Sequence, residues 1–460
     1  MKAHTSPDGG LSRVLGLPSL VAIIVGIAIS QVGLVGVLQG IGLAGGESTG
    51  RIALAFGLAL VLALTYAASF AELALMLPSS GGLGRYTEAA IGPFPALLAT
   101  FSGYVVVNMF GLPAELILFD GIVQALFGLE IPGNLIALSL RGVLAVLNIR
   151  GTDVFAALQN STTGIKVLLI LASGCAVCWT PALPAQALAD TGTPDLPAVG
   201  SPLATSIALF FWCFVAAEFV CPMIEECRNP VRDIPRAMLI GILTLGVLYT
   251  LYAFGATRIL SRSTLTGSPH PHLDYAQAVF GRAGAMLLLL FAATATIGLI
   301  NGILAGVSRM LYGMARNGQA FPFLGRLHPR YNTPWLAIIF MALLCGAPLI
   351  VLGNQPGLIV TLVVSATTCW LLAYVIAHLD LILLRLRHPD LPRPFRSPLF
   401  PWPQLFGMAG MGYVIAHNPD DVLLATGSVL GVVGVLSAAW VRFAIKRSLF
   451  KPLPGPGGPG

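Results

Sequence analysis

The chain has 460 residues, of which 56% are hydrophobic and only 10% are charged, with a net charge of +6. A soluble domain carries roughly a quarter charged residues, so the composition excludes a water-soluble globular protein and indicates one whose solvent is lipid. Apolar windows of about 20 residues, enough to cross a bilayer as a helix, recur from residue 15 to residue 442. We therefore expect an all-α polytopic membrane protein without a sizeable soluble domain.

Apolar runs separated by polar breaks predict about twelve membrane-spanning helices in chain order. The N-terminal segment lacks the cleavage pattern of a signal peptide, so the first helix is expected to remain in the mature protein. The Pro- and Gly-rich end of the chain opposes helix formation and is expected to lack regular structure. The predicted spans are 15–43, 51–77, 95–125, 133–148, 154–180, 204–226, 236–257, 275–315, 334–353, 357–385, 399–417 and 421–442.

The distribution of Lys and Arg predicts the orientation of these helices. With both termini on one side, that side holds 18 of the 25 cations, whereas the opposite side holds four. Cytoplasmic loops of membrane proteins carry such an excess of Lys and Arg. We expect a multi-pass protein of the cell inner (plasma) membrane with both termini in the cytoplasm. This placement explains the net positive charge, so no nucleic-acid partner is expected.

Four polar connections carry a resemblance to a known family. They read SFAELALMLPSSGGLGRYTEAAIGP, EECRNPVRDIPRAM, SRMLYGMARNGQAFPFLGRLHPRYNTP and RHPDLPRPFRSP, at residues 69–93, 225–238, 308–334 and 387–398. In the second of them, Pro235 is expected in the first turn of the next helix, where proline is tolerated. In their order and spacing, the four segments resemble those of the amino acid–polyamine–organocation (APC) superfamily of permeases.

The resemblance implies the leucine-transporter-like fold, in which two five-helix repeats of opposite orientation form a 5+5 inverted repeat. Residues 15–180 and 204–385 would be the repeats. Residues 399–442 would add helices 11 and 12, and residues 1–14 and 443–460 would be cytoplasmic tails. In such transporters the substrate binds at the bilayer midplane between helices that are broken there.

The resemblance also places the two breaks, at Gly26–Gly33 in the first helix and at Phe214–Glu218 in the sixth. Backbone N–H groups at a half-helix start can bind a carboxylate, and carbonyls at a half-helix end can hold an ammonium group. Ser30, Gln31 and Val32 replace a Gly-Ser-Gly run of the family, and Ala216 replaces a glycine. A loose likeness to the ethanolamine-permease branch favours an amine as substrate beside an amino acid. The candidate substrate-binding residues are Gly26, Ile29, Ser30, Gln31, Phe214, Ala216, Ala217 and Glu218.

Lys166 is the candidate proton-coupling residue. It lies roughly 18 Å along the fifth span at 1.5 Å per residue, near the bilayer middle, where ionisable side chains are costly and usually functional. Several proton-coupled relatives in the superfamily carry a lysine here, between helices one and eight. Loss of its proton would remove that bridge. A fixed structural cation that ties helix five to carbonyls of helix one is the alternative.

Other polar and aromatic positions are weaker candidates. Glu218 would either approach a substrate ammonium group or cap backbone amides at the break. Glu115 is expected near the outer surface, lining a vestibule. Tyr104, Asn108 and Phe211 are candidates for a vestibule or gate, although interhelical hydrogen bonds and ordinary packing would also explain them.

The leading interpretation is a secondary active transporter for an amino acid or small organic amine, coupled to protons and embedded in lipid. The sequence indicates no enzyme, no cofactor and no metal site. A transport-inactive membrane sensor or accessory subunit that binds such a ligand is the alternative from another class. An ion channel would need a ring of filter residues, and no such motif is visible.

Overall fold

The chain folds into a bundle of helices, seen in a computed structural model that describes residues 13–44, 49–128, 135–181, 201–352 and 356–452. Within these ranges no strand forms, and Leu15 and Cys227 make one isolated bridge. Most of the predicted N-terminal tail and the end of the C-terminal tail lie outside the described residues.

Eighteen α-helices follow one another along the described chain. Those of the first half are α1 (Leu17–Ala28), α2 (Gln31–Ala44), α3 (Thr49–Met76), α4 (Gly82–Ala90), α5 (Pro93–Thr100), α6 (Val107–Phe127), α7 (Leu135–Arg150), α8 (Thr152–Ala176) and α9 (Pro202–Phe211). Those of the second half are α10 (Pro230–Ile259), α11 (Arg262–Gly267), α12 (Pro271–Phe280), α13 (Arg282–Arg316), α14 (Trp335–Leu344), α15 (Ala347–Leu352), α16 (Ile359–Arg387), α17 (Trp402–Ala416) and α18 (Asp420–Ala439).

Eight stretches of helix in the described ranges are long and apolar enough to cross a membrane, and the bent pair α1–α2 gives a ninth. One of them joins α5 to α6 through a π-helical turn at Phe101–Val106. The chain is therefore a multi-pass membrane protein. The other three predicted spans coincide with the shorter helices α7, α14–α15 and α17, so the twelve-helix 5+5 layout stays a prediction.

Two predicted boundaries are wrong. The predicted span 275–315 is interrupted at Gly281, where φ is 58° and the chain turns from α12 into α13. Helix α10 begins at Pro230 rather than near residue 236, so Pro235 lies inside the helix and not in its first turn. Pro235 still falls within the first two turns, where few intrahelical N–H donors are lost.

Two of the membrane-spanning segments are broken, and these breaks position the candidate site. Helices α1 and α2 meet at an angle of 55°, with Ile29 and Ser30 between them. Helix α9 ends at Phe211 and continues as two 3₁₀ turns, Trp212–Phe214 and Ala217–Val220. Helix α1 packs against α8, α10 and α13, whereas α2 packs against α9. Both breaks are therefore enclosed by the bundle.

Buried ion pairs hold the connections between distant segments. Glu72 is buried in α3, pairs with Arg385 at 2.5 Å and accepts a hydrogen bond from the Ser397 backbone N–H at 2.6 Å. Glu226 pairs with Arg309 of α13, and both side chains are buried. These contacts fix the ends of α3, α13 and α16 relative to the polar connections.

Candidate functional site

The break in the first span exposes backbone groups at two half-helix ends. Because the first N–H groups of a helix have no partner within it, the start of α2 needs acceptors from elsewhere. The Ser30 hydroxyl accepts a hydrogen bond from the Gly33 N–H at 3.0 Å and another from the Trp212 indole N–H at 3.0 Å. Ser30 thus caps α2 and ties the first break to the second.

Glu115 of α6 supplies the remaining acceptors. Its Oε1 accepts from the Gln31 backbone N–H at 3.2 Å and from the Thr296 hydroxyl at 3.1 Å, and its Oε2 accepts from the Val32 N–H at 3.0 Å. The side chain is fully buried against the first break, and its expected position near the outer surface stays a prediction. An acidic residue in an apolar helix needs hydrogen-bond donors. The backbone N–H groups left free at the predicted first break are such donors, so this pairing could have been suggested from the sequence.

Lys166 of α8 lies at the opposite half-helix end. Its ammonium group donates to the carbonyl oxygens of Gly26 at 2.5 Å and Ile29 at 2.9 Å. A Cβ atom added at Gly298 of α13 would lie 2.8 Å from Nζ. The ammonium group therefore sits between α1, α8 and α13, which correspond to helices one, five and eight of the prediction. This geometry fits both a coupling residue and a fixed structural cation.

The second break depends on Ala216, which adopts a left-handed conformation with φ 78°. Tyr66 of α3 stabilises the turn, because its hydroxyl donates to the Phe214 carbonyl at 2.6 Å and accepts from the Ala217 N–H at 3.3 Å. The break thus forms where the sequence predicted it, although an alanine stands in place of the glycine that favours this backbone.

Glu218 follows the second break and is fully buried. Within the described part of the chain, neither of its carboxylate oxygens has a hydrogen-bond partner. The hydroxyl of Tyr374 is close but outside hydrogen-bond geometry, and it too lacks a partner among the described residues. The backbone N–H groups of Ala216 and Glu218 also lie near this carboxylate without meeting hydrogen-bond geometry, so both roles expected from the sequence stay predictions.

The three vestibule and gate candidates, Tyr104, Phe211 and Asn108, make different contacts in the bundle. The Tyr104 ring lies 5.4 Å from that of Phe219, and its buried hydroxyl has no hydrogen-bond partner in the described ranges. The ring of Phe211 lies 6.0 Å from those of Tyr66 and Tyr374. Asn108 donates to the Tyr104 carbonyl one turn earlier at 2.7 Å, so its side-chain amide forms a hydrogen bond within the same segment of helix.

The charges of these residues define what the arrangement can bind. If all three are ionised, Glu115, Lys166 and Glu218 carry one net negative charge in a buried region. Lys166 and Glu115 attract each other and each has several hydrogen-bond partners. A buried carboxylate without a partner is strongly unfavourable, so Glu218 either carries a proton or binds a cation. The arrangement suits ligand binding.

Comparison with known proteins agrees with these features. A family profile described as "Amino acid permease" matches residues 15–440. The chain is 26% identical to the serine/threonine exchanger SteT of Bacillus subtilis, over 94% of this chain and 97% of that protein. It is 25% identical to the branched-chain amino acid permease BcaP of Bacillus subtilis, over 87% and 86%. It is 28% identical to the human b(0,+)-type amino acid transporter 1, over 85% and 79%.

Proposed function

The chain belongs to the amino acid permease family, and we propose that it is a secondary active transporter moving an amino acid or small organic amine across the inner membrane. The observation that carries this proposal is the pair of broken helices. Polar backbone at membrane depth is tolerated only where it is buried in protein or lines a cavity. Transporters place substrate and coupling ions at such breaks. The two breaks are joined by the hydrogen bond between Trp212 and Ser30.

Transport would proceed by alternating access around these breaks. One group of helices rocks against a scaffold while the substrate site stays near the midplane. Ser30 and Ala216 mark the two points at which half-helices change direction. Hinge positions of this kind absorb large backbone changes. Rotation of the broken helices relative to the rest of the bundle would open the site to either side.

We propose that Lys166 couples transport to protons. Its ammonium group joins Gly26 and Ile29 to α8, and deprotonation would remove the charge that attracts both carbonyls. The first half of the broken helix would then be free to move relative to α8. Because the ammonium group supplies a fixed positive charge between α1 and α13, a sodium ion is not needed at this position.

The test separates the coupling of transport to protons from the movement of substrate across the membrane. Purified protein in proteoliposomes is assayed for gradient-driven accumulation of substrate and for counterflow, in which labelled and unlabelled substrate exchange without a pH gradient. Lys166→Ala should lose gradient-driven accumulation and keep counterflow. Thr162→Val, which removes the hydroxyl of a neighbour whose hydrogen bonds go to its own helix, is the matched control and should keep both activities. Loss of neither activity in Lys166→Ala would refute the coupling role.

A transport-inactive sensor is the second candidate, and the first break supports it. Glu115 and Lys166 together satisfy both ends of this break, which would suit a protein that binds a ligand without moving. The same liposomes decide between the two functions. A ligand that raises the melting temperature but shows neither accumulation nor counterflow would refute transport and favour the sensor.

A further inference from the structure

The first break carries its own carboxylate and ammonium groups, and this defines the class of substrate. We propose that the cargo is an organic amine without a carboxylate, whose ammonium group binds Glu218 while Glu115 occupies the position of a substrate carboxylate. This inference rests on the proposed transport function and deepens it.

The anion position is the start of α2. In transporters with broken helices, the N-terminus of a half-helix faces the anionic group of the substrate, because its N–H groups and the helix dipole favour negative charge. Here Glu115 accepts from both Gln31 and Val32 backbone N–H groups. The Gln31 side-chain amide and the Thr296 hydroxyl also point at this carboxylate, at 3.4 and 3.1 Å. The donors that a substrate carboxylate would use are already engaged.

The cation position at the end of α1 is filled as well. Lys166 takes the carbonyls of Gly26 and Ile29, and the Tyr249 hydroxyl donates to the Ala28 carbonyl at 2.8 Å. The break therefore holds an ammonium group on its carbonyls and a carboxylate on its amides, as a bound zwitterion would. An α-amino acid would have to displace Glu115, whose negative charge also repels a second carboxylate.

The unsatisfied charge lies at the second break instead. Glu218 is buried, and no donor among the described residues meets hydrogen-bond geometry with its two oxygens, although the Tyr374 hydroxyl and the Ala216 N–H group lie near. The hydroxyls of Tyr104 and Tyr374 likewise lack partners of good geometry there. An ammonium group offers hydrogen-bond donors and a positive charge to this carboxylate, and aromatic rings such as Tyr104 attract cations through their faces. A cation with no carboxylate of its own satisfies Glu218 without adding a third buried carboxylate to Glu115 and Glu218.

Matched pairs of ligands test the proposal on the wild-type protein. Each amino acid is compared with the amine that its decarboxylation gives: serine with ethanolamine, valine with isobutylamine and arginine with agmatine. Counterflow is measured in proteoliposomes, with protein-free liposomes correcting for passive leak of the amine. We expect at least one amine to be transported and to bind at least tenfold more tightly than its amino acid. The amide of that amino acid, which keeps the bulk but not the negative charge, should resemble the amine.

Variants of the two carboxylates test the assigned positions. Glu115→Ala frees the amides of α2 and should reduce the preference for the amine at least tenfold, through better binding of the amino acid. Glu115→Gln removes the negative charge with less change in shape and should shift the preference in the same direction. Glu218→Gln should weaken amine binding at least tenfold. If Glu115→Ala does not fold, the ligand preference of Glu115→Gln, compared with that of the wild-type protein, tests the role of Glu115.

Each contrary outcome has a distinct meaning. Equal or tighter binding of the amino acids by the wild-type protein would overturn the substrate class and leave transport intact. An unchanged preference in the folded Glu115 variants would overturn the role of Glu115. If no member of any pair is bound or moved, the transport proposal itself fails, and the inference fails with it.

Discussion

Ala216 holds the second break in a conformation that alanine rarely adopts. With φ 78° and ψ 1°, its Cβ atom crowds the following carbonyl oxygen, which costs roughly 1–2 kcal/mol in an L-residue. Such strain persists where the surrounding structure determines the backbone, here through the hydrogen bonds from Tyr66 to Phe214 and from Ala217 to Tyr66. The break is therefore imposed by tertiary contacts and does not come from local flexibility.

Glycine at position 216 should relieve this strain. The control is Ala217→Gly, because Ala217 is equally buried and lies in a 3₁₀ turn without a positive φ. Both substitutions remove one buried methyl group and add the entropy cost of glycine. Ala216→Gly should therefore be more stable than Ala217→Gly by about 1–2 kcal/mol, measured by denaturant unfolding in micelles. Equal stabilities would show that Ala216 is unstrained.

The buried side chains of Glu115 and Glu218 differ in how far their positions can be predicted from the sequence. Glu218 was recognised through the resemblance of its neighbours to a break region, and it lies at that break. For Glu115, the sequence predicts only a place toward the outer side of its span, lining a vestibule. Its partners, Gln31 and Val32, are more than 80 residues away in the chain, and helical periodicity carries no information on such a pairing.

At the scale of elements, the long apolar helices and both breaks were predictable, but some helix ends were not. Apolar length predicts α3, α8 and α16 directly, because each is long and apolar enough to cross a bilayer. The interruption at Gly281 escaped prediction because the apolar residues on both sides of Gly281 and Arg282 were taken as one continuous span. Whether residues 15–180 and 204–385 are inverted repeats stays a prediction.

Close approach of α13 to α8 is required for the position of Lys166, and Gly298 permits it. A Cβ atom there would lie 2.8 Å from the Lys166 ammonium group and 3.2 Å from the Thr162 hydroxyl. Gly298→Ala should force the ammonium group away from its two carbonyls and destabilise the protein by about 1–3 kcal/mol. Gradient-driven uptake should fall together with the melting temperature.

A second glycine serves as the matched control for that substitution. Gly164 lies in α8 close to Lys166, and an added Cβ atom there would meet no atom within 4 Å. Gly164→Ala should be neutral or stabilise the helix by up to about 1 kcal/mol, with uptake unchanged. If both variants behave alike, the contact between Gly298 and Lys166 does not constrain the packing.

At the scale of the whole molecule, one buried ion pair joins three distant segments. Glu226 follows the second break, Arg309 belongs to α13, and Thr152 begins α8. Arg309 donates to both carboxylate oxygens of Glu226, and the Thr152 hydroxyl donates to the same carboxylate at 2.6 Å. The two charged side chains are at most 1% exposed. The broken sixth segment is thereby held against helices from both halves of the chain.

A double-mutant cycle measures this connection. Removing one partner of a buried pair leaves an uncompensated charge and costs about 3–5 kcal/mol, so Glu226→Leu and Arg309→Met should each be strongly destabilising. The double variant leaves neither charge unpaired and should be destabilised by at least about 2 kcal/mol less than the sum of the single variants. Denaturant unfolding in micelles provides the four stabilities.

The neighbouring pair of Glu225 and Arg316 is the control for that cycle. Its charged groups are 3.8 Å apart, and the side chains are 32% and 54% exposed. Solvent-exposed pairs contribute about 0–1 kcal/mol, so Glu225→Leu, Arg316→Met and their combination should be nearly additive. A coupling energy at Glu226 no larger than that at Glu225 would mean that the segments are held by apolar packing alone. A large coupling confined to Glu226 would identify the buried pair as a contact that holds the sixth segment against α8 and α13.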